Sequence, residues 1–325
     1  MHPLWHSQDL LLEIMSYQSG VDGDYYHLLK ALRSLSWDNT AIFTTLPTAL
    51  AAVHALFPHW YEDHGPAGLD AFPVDVWVEL WYYGLLFGHV PTIAHFHERM
   101  VVDYVEWHLV VMSGCVDAVA FLLKAHPQSC FFETIDRAIE YGHIGVVEAL
   151  HRHGVPWPPE AWKLVGEHGG DDIAAYLNAE HCPWHEHWPG QVAELAAEHG
   201  HLGVIRFLHE HQPDCFTVAA MDAAAANGHL DVVRFLHENR SEGCTSLALT
   251  VATRAGHEDV VEFLLEHYDS SDAARKVLAV ATILDDDVSS GWRRLQRKLQ
   301  QLCLVPDRTK GAPPKQHYRA IPRLI

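Results

Sequence analysis

The sequence predicts an all-α fold, a solenoid of stacked helix–turn–helix units with unlike ends, and three observations carry that reading. A glycine recurs at positions 88, 114, 142, 169, 200, 228 and 256, at intervals of 26 to 31 residues. In every copy an apolar residue stands eight positions after that glycine, from Phe96 in the first to Leu264 in the last. Small residues precede the glycine, as in Ala223–Ala226 and Ala196–Ala197. Self-similarity at a constant period marks a repeat architecture, in which each unit buries its apolar stripe only against its neighbours.

Each part of the unit has a physical reason. The alanine-rich stretch before the glycine reads as a first helix, because Ala has the highest helix propensity and lets neighbouring helices approach closely. The glycine ends it, since Gly takes the left-handed position after a helix without steric cost. A second helix follows, with Leu230, Val233 and Leu236, or Val260, Phe263 and Leu264, recurring at helical spacing. The copy at Gly169-Gly170 is degenerate, and those at Gly88, Gly114 and Gly142 are recognised by register more than by identity.

The string Ala224-Ala225-Ala226-Asn227-Gly228-His229-Leu230-Asp231-Val232-Val233 resembles the consensus of ankyrin repeats. The resemblance extends over about residues 78–268 and is densest at 193–265. Two departures qualify it. The Thr-Pro-Leu-His opening of the first helix is absent, with Ala219-Ala220-Met221-Asp222 in its place, and the period is about 28 rather than the usual 33. The shorter period predicts a reduced finger between units. The linkers Val155-Pro156-Trp157 and Cys182-Pro183-Trp184 resemble turns of divergent ankyrin arrays with short repeats.

What the resemblance implies is a protein–protein interaction scaffold or adaptor with its partner on the concave face. In such arrays the two residues before the glycine line that face. Carried over, they are Glu140 and Tyr141, Glu167 and His168, Glu198 and His199, Ala226 and Asn227, and Arg254 and Ala255. Three successive copies thus offer Glu followed by Tyr or His, an acidic ridge edged with rings that suits a Lys- or Arg-rich segment. The tryptophans Trp157, Trp162, Trp184 and Trp188 are rival anchors, because Trp is enriched at interface hot spots.

The ends do not follow the period. Residues 1–77 read as an irregular helical cap, with helices expected at 8–17, 24–36 and 46–57 and breaks at Ser19-Gly20 and at Pro47, Pro58, Pro66 and Pro73. Gln8 to Tyr17, with Leu28-Leu29 and Trp37, faintly resembles an F-box. The alternative function is therefore a substrate receptor of a ubiquitin ligase. After the repeats, 269–305 reads as capping helices, with Asp285-Asp286-Asp287 opening a last helix that carries Leu295, Leu299 and Leu302 on one face. Residues 306–325 read as a disordered basic tail.

Charge is divided between the body and this end. From Trp292 onward nine Lys or Arg stand against Asp307 alone, so residues 1–291 carry −28 of a formal net −20. An acidic body repels phosphate backbones, which excludes nucleic acid as partner of the repeats and favours basic protein segments. No apolar run reaches the length of a membrane span. The start, Met1-His2-Pro3, lacks a basic region, with Asp9 and Glu13 in its first apolar stretch, so no secretory signal is expected. Six scattered cysteines without a CxxC pair point to reduced thiols in an intracellular chain, cytoplasmic or nuclear. A monomer is expected.

Twenty-seven histidines raise the question of metal or catalysis. Twelve occupy repeat-locked positions, including His89, His143, His201, His229 and His257 just after the glycine. Equivalent positions in stacked helices lie about 8–10 Å apart, whereas a zinc ligand lies within about 2 Å of its ion. These histidines are therefore expected at turns and on the surface. The local cluster His181-Cys182-Pro183-Trp184-His185-Glu186-His187 has residue types that suit zinc, but a single cysteine and no finger spacing. No nucleophile elbow, phosphate loop or HExxH occurs, so neither enzyme activity, metal nor cofactor is expected.

Overall fold

The computed structural model describes residues 23–36, 41–131, 133–184 and 188–268, which contain helices and turns and no strand. The expected helix at 8–17, the capping helices at 269–305, the basic tail at 306–325 and His185–His187 lie outside the described residues, as do Gln8–Tyr17 and Trp37 of the F-box-like reading, whose Leu28 and Leu29 are described and buried. The chain divides into two compact units, Met1–Pro158 and Pro159–Ile325.

In the first unit α1 (Gly23–Arg33), α2 (Ile42–Ala49) and α3 (Ala51–Gly68) precede three helix pairs. The pairs are α4 (Trp77–Leu86) with α5 (Val90–Phe96), α6 (Tyr104–Met112) with α7 (Val116–Ala125), and α8 (Glu133–Glu140) with α9 (Ile144–Arg152). In the second unit four further pairs follow. They are α10 (Ala161–His168) with α11 (Asp171–Ala179), α12 (Trp188–Glu198) with α13 (Leu202–His211), α14 (Val218–Ala226) with α15 (Leu230–Asn239), and α16 (Ser246–Ala255) with α17 (Glu258–His267). Within each unit first helices pack on first helices and second on second.

The turn inside each pair follows from the glycine. All seven repeat glycines have positive φ, between 63° and 88°. In five pairs the residue after the glycine donates its amide to a carbonyl five residues back, as His229 does to Ala224 at 2.9 Å. Gly228 donates to Ala225 at 3.4 Å, completing the double closure that satisfies the last carbonyls of a helix. Between pairs no finger strands stand among the described residues, and short turns carry the chain instead. Val155, Cys182, Cys215 and Cys244 of these turns are buried.

Two expectations for the first 77 residues need correction. The segment 46–57 is not one helix: α2 ends at Ala49 and α3 begins at Ala51. Pro58 lies within α3 without ending it, and the kink falls at Gly65, φ 61°. Burial of Val53, Phe57 and Trp60 holds the helix through the proline. Phe57 meets Tyr83 at 4.5 Å and His54 stacks on Phe87 at 4.0 Å, which sets α3 against the first helix pair.

Candidate functional site

The repeat-locked histidines shape the ends of the first helices. His201, His229 and His257 are half-buried and each lies over the glycine of the preceding pair. An added Cβ at Gly169, Gly200 or Gly228 would meet the ring at 2.9, 2.5 or 2.5 Å. Their Nε2–H groups donate to the carbonyls of Glu167, Glu198 and Ala226 at 2.9, 2.9 and 3.1 Å. These are the carbonyls two residues before each glycine, left open by the end of a helix. The expectation that these histidines are merely turn and surface residues is therefore corrected. They form a ladder that ties each first helix to the next pair. His143 takes the same place over Gly114, and Cys115 over Gly88.

Other histidines repeat as well. His153, His211 and His267 donate through Nδ1 to the carbonyl four residues back, at 2.8, 3.0 and 2.8 Å. His97, His209 and His237 stand edge-on to Phe121, Phe235 and Phe263 of the following pair. Burial holds His89, His126, His201 and His237 below the ordinary imidazole range, so they are neutral ring partners at neutral pH.

In the second unit the ladder fixes the backbone of Glu167, Glu198 and Ala226 in one register, and their side chains differ. Glu198 and His199 are exposed, as is Glu194 one turn earlier, and no ion pair engages either carboxylate among the described residues. His199 Nδ1 donates to the Leu195 carbonyl at 3.0 Å. Glu167 is less free, because Lys163 lies 3.6 Å from it and 3.3 Å from Glu160. His168 and Arg254 are exposed. Asn227 donates back to the Ala223 carbonyl at 3.1 Å.

In the first unit the corresponding residues are engaged. Arg137 holds Glu140 at 2.5 Å. The Tyr141 hydroxyl meets Nε2 of His108 at 2.8 Å. That imidazole is 7% exposed, stacked on Phe43 at 3.7 Å and edge-on to Tyr104. Burial and then the Arg137 charge lower its pKa to about 4. Nothing in the repeat period announced this cluster, because Phe43 comes from outside the repeats. A buried carboxyl lies nearby in sequence: Glu106 closes a capping box with Asp103, and burial, then the Asp103 contact, raise it to about 7.

The tryptophans divide. Trp162 is 2% exposed, donates to the Cys182 carbonyl at 3.3 Å and stacks on Trp184 at 3.7 Å, so it is core. Trp157 stacks on His151 at 4.2 Å. Trp188 opens α12. Of the zinc-like cluster, Cys182 is buried and its thiol pushed up to about 12 by desolvation, far from a ready thiolate ligand. No three His, Cys, Asp or Glu side chains converge as a metal site among the described residues.

Residues 193–277, from within α12 through the last described pair, match the family model of ankyrin repeats in three copies. That segment carries ankyrin repeats. No curated protein matches the chain. Ankyrin repeats are protein–protein interaction modules and generally non-catalytic, which assigns the repeats an interaction role. No helix among the described residues is long and apolar enough to cross a membrane.

Proposed function

We propose that the chain is an interaction scaffold whose first-helix ends in the second unit bind a Lys- or Arg-rich protein segment. Glu167, His168, Glu198, His199, Asn227 and Arg254 form the surface, with Glu194 added from the structure. The observation that carries the reading is the pair Glu194 and Glu198, exposed on one face of α12, a helix with no Lys or Arg of its own. Exposed carboxylates steer a cationic segment at long range, and the neighbouring imidazoles supply flat surface for its aliphatic stems. Glu140 and Tyr141 are a separate, weaker surface on the first unit, because Arg137 and His108 already engage them.

The compartment that fits is a reducing cell interior: Cys115, Cys130, Cys182, Cys215 and Cys244 are free thiols. Helices α1 to α3 act as the cap of the first unit, since an array must close its terminal apolar flank. The chain works as a monomer. The test is affinity capture with the full chain and with the combined Glu194→Lys and Glu198→Lys changes. Capture of basic partners falls at least tenfold in the variant. Undiminished capture of every partner refutes the assignment.

A further inference from the structure

Among the described residues eight large apolar side chains are exposed, and seven of them lie in the first unit. Five of these share one edge. Val74 precedes α4 and Val78 lies in its first turn, Val101 precedes α6 and Tyr104 begins it, and Phe131 precedes α8. Each stands 10 to 14 positions before the repeat glycine of its pair, so three successive pairs present apolar surface at one level. Glu140 and Tyr141 belong to the opposite ends of the first helices. No finger strand covers the edge among the described residues. Apolar side chains exposed singly are ordinary, whereas a recurring row of them marks a contact surface.

Charge singles out the same side. The first helices of this unit with the turns leading into them, residues 69–86, 97–112 and 126–141, hold nine Asp and Glu against Arg99 and Arg137. Both cations are engaged, Arg137 with Glu140 and Arg99 over the Trp77 ring, and Arg33 of α1 takes up only Asp75. The second helices with their turns, 87–96, 113–125 and 142–152, hold two carboxylates and two cations, and Val116 is their one exposed large apolar side chain. Beside Val78, Oε2 of Glu79 is buried without a hydrogen-bond partner, a cost that a docked cation would relieve. The spacing along the edge selects the shape of the occupant. Adjacent first helices lie about 8–10 Å apart. Side chains on one face of a helix recur every seven residues, at about 10.5 Å, whereas on one face of a strand they recur at about 6.7 or 13 Å.

We propose that this edge of the first unit, from Val74 to Phe131, docks an amphipathic helix of a partner protein, with apolar residues seven apart laid on the valines and rings and with Lys or Arg along its flanks. Apolar contact supplies affinity and register, and the carboxylates fix orientation and exclude acidic helices. The surface is independent of the one assigned to Glu194 and Glu198 in the second unit, so either can fail alone.

The probe is a helical peptide of about 21 residues built from Leu and Lys, long enough for two packing steps, with its leucines on one face. A scrambled isomer keeps its charge and composition but not the face. Fluorescence anisotropy with the full chain compares them, and the ordered peptide binds at least tenfold tighter. Val74→Ser with Val101→Ser, at side chains 69% and 77% exposed, removes that advantage and leaves the unfolding midpoint in place. Glu194→Lys with Glu198→Lys keeps the advantage. On binding, amide exchange slows at the starts of α4 and α6. Equal binding of the two isomers, or an advantage that survives the valine changes, overturns the proposal and leaves charge attraction alone. A dimer in sedimentation that the valine changes dissolve overturns it in favour of a second copy. An advantage seen only in a chain carrying Arg293→Glu, Arg294→Glu, Arg297→Glu and Lys298→Glu overturns it in favour of the chain's own basic segment.

Discussion

The histidine ladder makes a quantitative prediction at Gly228. Changing it to Ala adds two costs. The residue has φ 81°, and a side chain in the left-handed region costs about 1–2 kcal/mol. The new Cβ would also stand 2.5 Å from Nδ1 of His257, far inside contact distance. The ring must turn away, which breaks its 3.1 Å hydrogen bond to the Ala226 carbonyl, worth about 1 kcal/mol. The total for Gly228→Ala is then about 2–3 kcal/mol. In a His257→Ala background only the backbone strain remains, so the same substitution costs about 1–2 kcal/mol there. The cycle is read by urea unfolding, with amide exchange of α14 to α17 as a local measure because repeat arrays need not unfold in one step. If Gly228→Ala costs the same in both backgrounds, the ring over the glycine contributes nothing and the ladder is not a stabilising device.

Three further outcomes follow from buried groups. His108 is neutral when folded, with its pKa at about 4 against 6.5 for the free side chain. Its contribution is complete above pH 6.5 and is lost as pH falls toward 4, up to about 3 kcal/mol. Glu106, raised to about 7 from 4.5, has the opposite sign: its contribution is present below 4.5 and lost as pH rises through 7. Unfolding free energy measured against pH separates them. His108→Gln flattens the loss toward acid, and Glu106→Gln flattens the loss toward neutral pH. Asp222 accepts from both the amide and the hydroxyl of Thr245, the cap of α16, at 2.8 and 2.6 Å. Asp222→Ala therefore costs about 1–3 kcal/mol and speeds amide exchange in α16, while Asp222→Asn, whose Oδ1 still accepts from the amide and whose Nδ2 can donate to the Thr245 hydroxyl oxygen, costs under about 1 kcal/mol. Trp162→Ala, which empties the stack on Trp184, lowers stability by about 3–5 kcal/mol in the same assay.

How much was legible in sequence depended on the range of the interaction. The glycine register located every helix pair, because a left-handed helix end is a local requirement and only Gly meets it cheaply. The degenerate copy at Gly169 kept that requirement, φ 88°, although its helices had lost the consensus. The histidine following the glycine was visible as a pattern but not as a contact, since its acceptor lies 31 to 34 residues earlier in another helix. The tie between Lys163 and Glu167 has i,i+4 spacing, but spacing alone does not single it out among the many charges of the sequence. The cluster around His108 was not readable, because Phe43 reaches it from a segment with no period.

The ladder also explains how one face can carry different chemistry without loss of fold. At the position two before the glycine the backbone carbonyl does the structural task in three successive pairs of the second unit, accepting from the histidine of the next. The side chain there is free to vary, and it does: Glu167, Glu198, Ala226 and Arg254 share the position. Exposed substitutions away from special features stay within about 0.5 kcal/mol. Exchanging Glu198 for Ala and Ala226 for Glu should therefore leave the unfolding midpoint within about 2 °C of wild type, while moving the acidic edge along the face by one pair. A loss of stability well beyond that would mean that the Glu198 side chain, and not its carbonyl, holds the turn, and that recognition and fold are not separable at this position.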